Sequence, residues 1–247
     1  MRIEKGDGWE MRLGRWEDVL ADVTECDAVI TDPPYSDRVH SGIRTGWMPG
    51  GEGSGEYTCT PIGYDPWDES VIDAFVESWS ARATGWMVAM TDHVMGHVYQ
   101  RAYRDAQRYA FAPVPFVEMG KQPRVTGDGP ASWTCWIMVA RPSTRKAASC
   151  GSLPGAYVPP TGQGVQQDRY IKGGKPSWLM RALVRDYSRP GDLVVDPCAG
   201  GGTTLLAAVT EGRRVIGAEM DEETFELAVK RLRRGHTRTF DFGEAAQ

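Results

Sequence analysis

The sequence predicts an α/β fold in which a mostly parallel β-sheet is covered by helices on both faces. The first observation is the alternation of short apolar strands with helices in the C-terminal third, because this alternation is typical of parallel sheets. The second is that the N-terminal half repeats the same theme. In the C-terminal third the predicted elements are a strand at 193–195, a helix at 203–211, a strand at 215–218 and a helix at about 221–234.

The remaining elements follow from apolar runs and from helical spacing. Leu179, Leu183 and Tyr187 recur at helical spacing after Pro176, which suits the first turn of a helix, and Pro190-Gly191 ends that helix. Upstream, the predicted elements are strands at 28–31 and 86–90, a helix at about 93–108, and strands near 111–117 and 132–140. The segments 36–65 and 143–172 are rich in Gly, Pro, Ser and Thr, and such long loops are usually functional or disordered.

Composition indicates a globular protein with one domain, residues 1–247. Hydrophobic residues make up 41% and charged residues 25% of the 247 residues. No stretch reaches the ~20 apolar residues of a membrane span, and the N-terminus lacks the apolar core of a signal peptide, so we expect a cytoplasmic protein without membrane contact. The five cysteines form no C-x-x-C pair, so we expect neither a metal site nor a disulfide framework.

Charge argues against one class of nucleic-acid-binding protein. A formal net charge of -5 is unsuited to a coat protein that binds nucleic acid nonspecifically. Residues 141–175 are different, since six basic residues and one acid give 6 - 1 = +5. This stretch is either a DNA-contacting surface or a solvated loop.

Three glycines, Gly200 to Gly202, follow the strand that ends in Asp196, at the edge where open α/β sheets bind ligands. A phosphate-binding P-loop would need a lysine after the last glycine, and a dinucleotide fingerprint would need Gly or Ala where Leu205 stands. Glu219 ends the next strand, where an acid can accept hydrogen bonds from a ribose. The pattern therefore predicts a nucleoside site without a pyrophosphate.

The tetrapeptide Asp32-Pro33-Pro34-Tyr35 follows another predicted strand. The amino group of a nucleobase is a poor nucleophile because its lone pair is delocalised, and two acceptors aimed at its N–H groups would localise that pair. The Asp32 carboxylate and the Pro33 carbonyl can supply these acceptors, the prolines fix the backbone, and Tyr35 can stack on the base. Taken alone, the tetrapeptide is equally compatible with an ordinary turn.

The run Asp196-Pro197-Cys198-Ala199-Gly200-Gly201-Gly202-Thr203-Thr204 resembles the S-adenosylmethionine motif of DNA methyltransferases that methylate amino groups. The resemblance extends to Ile216-Gly217-Ala218-Glu219-Met220-Asp221 with Ala228 and Arg231 downstream, to Gly173-Gly174-Lys175-Pro176 and to Trp67-Asp68. It implies a Rossmann-like methyltransferase fold with seven strands and the circularly permuted motif order of the beta class. The implied cofactor-binding residues are Asp196, Pro197, Cys198, Ala199, Gly200, Gly202, Thr203, Thr204, Glu219, Met220, Lys175 and Pro176; the implied catalytic residues are Asp32, Pro33, Pro34 and Tyr35.

The resemblance implies a site-specific DNA methyltransferase that acts on N6 of adenine, because enzymes acting on N4 of cytosine more often have Ser in place of Asp32. N4 of cytosine stays open as a target, as do RNA and protein glutamine, whereas the only Pro-Cys, at Cys198, lies in the cofactor motif and excludes C5 methylation. One departure is Arg15 after Leu13-Gly14, where the family commonly has an acid. Arg15 alone supports the other class of function, a catalytically silent DNA-binding or partner subunit.

DNA is the expected partner, with the target base flipped into the site. The resemblance places recognition between Ala140 and Lys175, and the loop 36–65 is a second candidate. The expected contacts are Arg38, His40, Arg44, Trp47, Arg145, Lys146 and Arg169. Arg101, Arg104 and Arg108 are expected on a solvated helix face, with phosphate contact as the alternative, and a homodimer is one way to enlarge a small recognition surface.

Overall fold

A computed structural model describes residues 1–37, 65–118, 133–144, 152–159 and 174–235. Nine strands and six helices lie in these ranges. In chain order they are β1 (Arg2–Gly6), β2 (Trp9–Leu13), α1 (Trp16–Val19), β3 (Cys26–Thr31), α2 (Glu69–Ser80), β4 (Ala83–Thr91), α3 (Gly96–Asp105), β5 (Arg108–Ala110), β6 (Val114–Val117), β7 (Thr134–Pro142), α4 (Ser177–Tyr187), β8 (Leu193–Asp196), α5 (Thr203–Thr210), β9 (Arg214–Glu219) and α6 (Glu222–Gly235).

All nine described strands form one sheet with the order β1-β2-β9-β8-β3-β4-β7-β5, and β6 also pairs with β7. The five central strands, β2, β9, β8, β3 and β4, are parallel, whereas the pairings of β1 with β2 and of β7 with β4, β5 and β6 are antiparallel. The α/β class is therefore confirmed. The expected count of seven strands was wrong, because β1 pairs with β2 as an additional edge strand and β5, at Arg108–Ala110, precedes the expected strand at 111–117, which forms β6 over Val114–Val117.

Helices cover both faces of this sheet, as expected. One core contains the apolar sides of α4, α5 and α6, including Leu179, Leu205 and Phe225. The core on the opposite face contains those of α1, α2 and α3, including Phe75 and Tyr99. Successive residues of a strand point to opposite faces, which is why β3 contributes to both cores.

Element boundaries show where local sequence signals were insufficient. The helix expected at 93–108 spans only Gly96–Asp105, because residues 93–95 form a turn and Arg108 begins β5. Pro176 is the N-cap of α4 with an extended backbone, one position earlier than expected. The hairpin β1-β2 and helices α1 and α2 were not predicted.

The parallel arrangement brings four carboxylates to one edge of the sheet. Asp196 and Glu219 end β8 and β9, while Asp32 follows β3 and Asp92 follows β4 by one residue. These four strands are adjacent and run in the same direction, so their carboxyl ends meet at this edge. Within the described parts of the chain, none of the helices has the length and apolarity that a membrane crossing requires.

Candidate active site

The catalytic segment predicted from the sequence lies at this edge with its polar groups already engaged. The Tyr35 hydroxyl donates to Asp32 Oδ1 at 2.9 Å and lies 2.8 Å from the Cys135 sulfur. Burial and the nearby Asp32 carboxylate raise the pKa of Tyr35 well above its usual value, so this hydroxyl stays protonated. Asp32 and Tyr35 are half-buried, and Pro33 between them is buried.

A lysine from the other half of the chain completes the surroundings of Asp32. Lys175 Nζ lies 2.5 Å from Asp32 Oδ2 and 4.9 Å from the centroid of the Tyr35 ring. The two side chains of the ion pair are 12% (Lys175) and 22% (Asp32) exposed. The resemblance implied that Lys175 holds the methionine end of the cofactor, and in the structure its ammonium lies on the Asp32 carboxylate.

Asp92 anchors the chain directly after the segment Asp32-Pro33-Pro34-Tyr35. Its Oδ2 accepts from the Ser36 N–H at 3.0 Å and from the Ser36 hydroxyl at 2.5 Å, and its Oδ1 accepts from the N–H groups of Val94 and Met95. The buried carboxylate therefore joins the chain after Tyr35 to the turn before α3. On the other side, the Trp67 N–H donates to the Tyr35 carbonyl at 3.2 Å.

A side-chain hydrogen bond joins the segment around Asp32 to the strand that precedes the glycine turn. Thr31, the residue before Asp32, donates from its hydroxyl to Asp196 Oδ1 at 2.7 Å, and the Cys198 N–H donates to the same oxygen. Asp196 is buried, and burial raises its pKa to about 6 even though hydrogen bonds from Thr204, Thr31 and the backbone oppose this shift. The carboxylate that was expected to shape the methionine pocket thus also binds the end of β3, directly before Asp32.

The glycine turn has the backbone conformation for which its residues were singled out. Gly200 and Gly202 have φ values of 49° and 72°, in the left-handed region that favours glycine. A Cβ on Gly202 would lie 3.3 Å from Ala228 Cβ, so the residue also permits close packing against α6. Arg231 holds the turn by donating to the Gly201 carbonyl at 3.1 Å and to the Thr203 hydroxyl at 2.8 Å.

Glu219 faces the glycine turn from the end of β9. Its Oε1 accepts from the Asp221 N–H at 2.8 Å, and the Gly200 N–H also donates to this carboxylate. Burial raises the pKa of Glu219 above its usual value despite these donors. Met220, the next residue, is 53% exposed, which leaves an apolar side chain open to a ligand beside the carboxylate.

The departure at Arg15 has a defined position. Leu13 is in register with Glu219 in the β2-β9 pair, and the Gly14 N–H donates to the Glu219 carbonyl at 2.8 Å. The segment therefore lies beside the cofactor motif, as the resemblance implied. The Arg15 side chain is exposed and pairs with Glu17 at 3.0 Å.

The expected DNA contacts lie outside the described residues. This applies to Arg38, His40, Arg44, Trp47, Arg145, Lys146 and Arg169. Of the three arginines expected on a solvated helix face, Arg108 was wrongly placed. It is a buried residue of β5 that donates to the carbonyls of Ala83 and Gly85, and it therefore links β5 to the start of β4. Arg101 pairs with Asp73 and Glu69 across α2 and α3.

Sequence reasoning missed Thr31, Ser36, Asp92 and Cys135. Asp92 follows an apolar strand in the same way as Asp32, so the rule that ligands bind at strand carboxyl ends could have found it. Cys135 carries no such signal, because its contact with Tyr35 depends on how β7 crosses the sheet. The described residues contain no group of His, Cys, Asp and Glu side chains suited to hold a metal ion.

Comparisons with known proteins agree with this description. Residues 121–230 match the family model described as DNA methylase. The chain is 40% identical over 58 residues to DNA adenine methyltransferase YhdJ of Escherichia coli (strain K12), and 41% identical over 59 residues to type II methyltransferase M.HinfI of Haemophilus influenzae. These segments make up 24% of this chain and only 20% and 16% of the two relatives.

Likeness in structure covers much more of the chain. A crystal structure of the M1.HpyAVI complex with S-adenosylmethionine superposes with a TM-score of 0.64 over 91% of this chain and 98% of the other, at 18% identity. The cytosine-N4-specific PvuII DNA methyltransferase superposes with a TM-score of 0.60 over 94% and 92% of the two chains, at 15% identity. The resemblance to N6-adenine and N4-cytosine DNA methyltransferases is therefore confirmed, and the fold is theirs.

Proposed function

We propose that the protein transfers a methyl group from S-adenosylmethionine to an exocyclic amino group of a base in DNA, with N6 of adenine as the target. One observation carries this proposal: the Thr31 hydroxyl binds Asp196, which joins the Asp32 segment to the glycine turn at one edge of the sheet. An acceptor for an amine and a site for a nucleoside therefore lie side by side. The proteins of Escherichia coli and Haemophilus influenzae that match a segment of this chain are named as methyltransferases, which supports methyl transfer as the activity.

The residues present suit the cofactor chemically. Glu219 offers a carboxylate to a ribose, and the exposed Met220 offers an apolar surface to an adenine ring. The glycines at 200 and 202 allow close approach of the backbone, and Asp196 provides a carboxylate near the expected position of the methionine end. When bound, the cofactor supplies a methyl group on a positively charged sulfur. A nucleophilic nitrogen can take this methyl group, with the sulfur as the leaving group.

The chain's own residues would prepare that nitrogen. Asp32 would accept a hydrogen bond from one N–H of the amino group and so draw its lone pair out of conjugation with the ring. The Tyr35 hydroxyl holds Oδ1 of Asp32 in place, and the Tyr35 ring offers a face on which the flipped base can stack. The nitrogen sheds a proton once it carries the methyl group, and Asp32 Oδ2 is the adjacent acceptor.

Adenine is favoured over cytosine by the first residue of the tetrapeptide. Cytosine-N4 enzymes more often have Ser at the position of Asp32, and the relative YhdJ is named as an adenine methyltransferase. The cytosine-N4-specific PvuII enzyme shares the fold, so the fold is compatible with either base. Recovery of N6-methyladenine after transfer would establish the target.

The test uses purified protein, duplex DNA without methylation and cofactor with a labelled methyl group. We expect transfer by the wild-type protein and a loss of at least about a hundredfold for Asp32→Ala, because one preorganised group at the reacting centre is removed. Cofactor affinity measured by calorimetry should change little. Asp27→Asn is a matched control, since Asp27 lies in the same strand but binds the Leu193 N–H at the opposite end.

Digestion to nucleosides and mass analysis identify the product. Recovery of N4-methylcytosine would contradict the adenine assignment. The absence of transfer to DNA by a folded protein that binds the cofactor would favour the silent-subunit alternative. Recognition by the loops at 36–65 and 141–175, a homodimer and a cytoplasmic location remain predictions within this proposal.

A further inference from the structure

Lys175 occupies the two places that a target base would need. Its ammonium lies 2.5 Å from Asp32 Oδ2 and 4.9 Å from the centroid of the Tyr35 ring. In the proposed reaction, the carboxylate accepts the amine N–H and the ring stacks on the base. A cation that touches both groups at once mimics the hydrogen-bonding edge of the substrate and covers its stacking surface.

The carboxylate of Asp32 has little room for both partners. Its Oδ1 already accepts from the Tyr35 hydroxyl at 2.9 Å, so Oδ2 is the oxygen that remains for a substrate amine. Lys175 donates to this oxygen, and both side chains of the pair are mostly buried. A base entering the site therefore has to displace the ammonium from Oδ2.

The backbone next to Lys175 is held by the glycine turn, whereas the contacts of its ammonium with Asp32 and Tyr35 depend on the rotamer of a long side chain. Two residues further on, the Ser177 hydroxyl accepts from Arg231 at 3.2 Å, and Arg231 also holds the Gly201 carbonyl and the Thr203 hydroxyl. The backbone before α4 is thus tied to the glycine turn. The lysine side chain has four rotatable bonds and can change rotamers without disturbing these backbone contacts, and 12% of its surface is exposed.

We propose that Lys175 is an internal substitute for the substrate amine, which occupies Asp32 and Tyr35 and has to leave both before a base can bind. This inference rests on the proposed function, because it takes Asp32 and Tyr35 to be the groups that receive the base. The effect of Lys175 on binding is then opposite to that of an ordinary cation in a DNA-binding protein. Removing an ordinary cation weakens DNA binding, whereas removing Lys175 should strengthen binding of the target base.

The experiment measures base preference in the absence of cofactor. The probes are two short fluorescein-labelled single strands, one of thymidines only and one with a single central adenosine, because an unpaired base needs no flipping out of a duplex. Fluorescence anisotropy gives the ratio of their affinities. We expect wild-type protein to bind both strands within about twofold, and Lys175→Met to prefer the adenosine strand roughly tenfold, as expected for removing a competing ion pair and cation–π contact.

Three further variants separate this role of Lys175 from a general effect of charge or of misfolding. Lys175→Arg keeps a cation able to pair with Asp32, so it should behave like the wild type. Lys230→Met removes an exposed cation on α6 and should show no base preference. Lys175→Gln is a second neutral variant, and circular dichroism establishes that each protein is folded.

Equal affinities of folded Lys175→Met and Lys175→Gln for the two strands would overturn the inference. So would a preference for adenosine in the wild type as large as that in these variants. Methyl transfer by wild-type protein is measured separately and decides the proposed function. If the wild type methylates DNA and the neutral variants show no preference, the proposed function stands and the role of Lys175 falls.

Discussion

The two halves of the candidate site are built in different ways. In the half that would bind the cofactor, Gly200, Gly202 and Glu219 lie within 20 residues of one another, and their contacts are made largely among neighbours in the chain. In the half proposed to be catalytic, the partners are distant in the chain. Lys175 contacts Asp32, Cys135 contacts Tyr35 and Asp92 contacts Ser36, at separations of 143, 100 and 56 residues.

This difference decides how each half responds to change. A locally encoded turn depends on backbone conformation at a few positions, so single substitutions in it should have local effects. A site held by distant residues depends on the packing of the sheet, so substitutions far away in the chain should alter its chemistry. Asp196 and Thr31 form the boundary, since their hydrogen bond joins the two halves.

The largest expected effect is the pH dependence that Asp196 imposes on this boundary. Its pKa is raised from 3.8 to about 6 by burial, so the folded state favours the protonated acid. The contribution of Asp196 to the free energy of unfolding should therefore be fully present below about pH 4. It should be lost as pH rises through 6, by at most about 3 kcal/mol for two pKa units. Urea unfolding of wild type and Asp196→Asn between pH 4 and 8 should show the variant gaining relative stability across this window.

The matched variant is Asp105→Asn, an exposed position at the end of α3. Its stability difference from the wild type should stay flat over the same window. If the free energies of unfolding of wild type and Asp196→Asn changed in parallel from pH 4 to 8, the raised pKa of Asp196 would be contradicted.

The next effect should separate the halves functionally. Asp92→Asn places an amide against either the Ser36 donors or the N–H groups of Val94 and Met95, and leaves donors without an acceptor. We expect a loss of about 2 kcal/mol in the free energy of unfolding. Methyl transfer should fall by roughly tenfold or more because the catalytic segment shifts, while calorimetric cofactor affinity stays within about twofold.

Asp192→Asn is the control, because Asp192 also accepts a backbone N–H, from Arg189 at 2.7 Å, but lies at the opposite end of β8. It should leave methyl transfer unchanged. A parallel loss of cofactor affinity in Asp92→Asn would mean that the two halves are not separable in the way the contacts indicate.

The smallest effect concerns the glycine turn. Gly202→Ala forces a side chain into a φ of 72° and against Ala228, and should destabilise the fold by about 1–2 kcal/mol. Gly212→Ala has a similar φ of 78° with no heavy atom within 4 Å of the added carbon, so it imposes the backbone strain alone. Only Gly202→Ala should weaken cofactor binding, and equal calorimetric affinities would show that the turn tolerates the methyl group.

The sequence predicted where the glycine turn and Glu219 lie in the fold, and for the half around Asp32 it predicted the position but not the long-range contacts. The glycine turn, Glu219 and the strands around them follow from spacing and residue type, since their geometry is set by neighbouring residues. Asp32 and Tyr35 were found for the same reason. The contacts of Tyr35 with Cys135 and of Ser36 with Asp92 arise from the order of strands in the sheet, which periodicity does not report.

The number of strands was wrongly expected for a related reason. Each strand of the β1-β2 hairpin has only five residues; β2 alternates apolar and charged residues, whereas β1 contains a single apolar side chain, Ile3, and β2 joins the sheet by pairing with β9. The seven strands implied by the resemblance were therefore too few, although the parallel centre was correctly expected. Arg108 was placed on a helix because its neighbours have helical spacing, whereas its guanidinium binds carbonyls at the start of β4.

The pairing of β3 with β8 has a consequence for how the chain folds during synthesis. Ala28 is in register with Val194, and Trp9 with Val215. The N-terminal strands β3 and β2 therefore pair with strands that are synthesised near the end of the described chain. Until residue 219 has left the ribosome, β2 and β8 are separated by a gap that β9 fills. The nascent chain therefore exposes unpaired strand edges for most of its synthesis, a state in which β-rich chains are prone to aggregate.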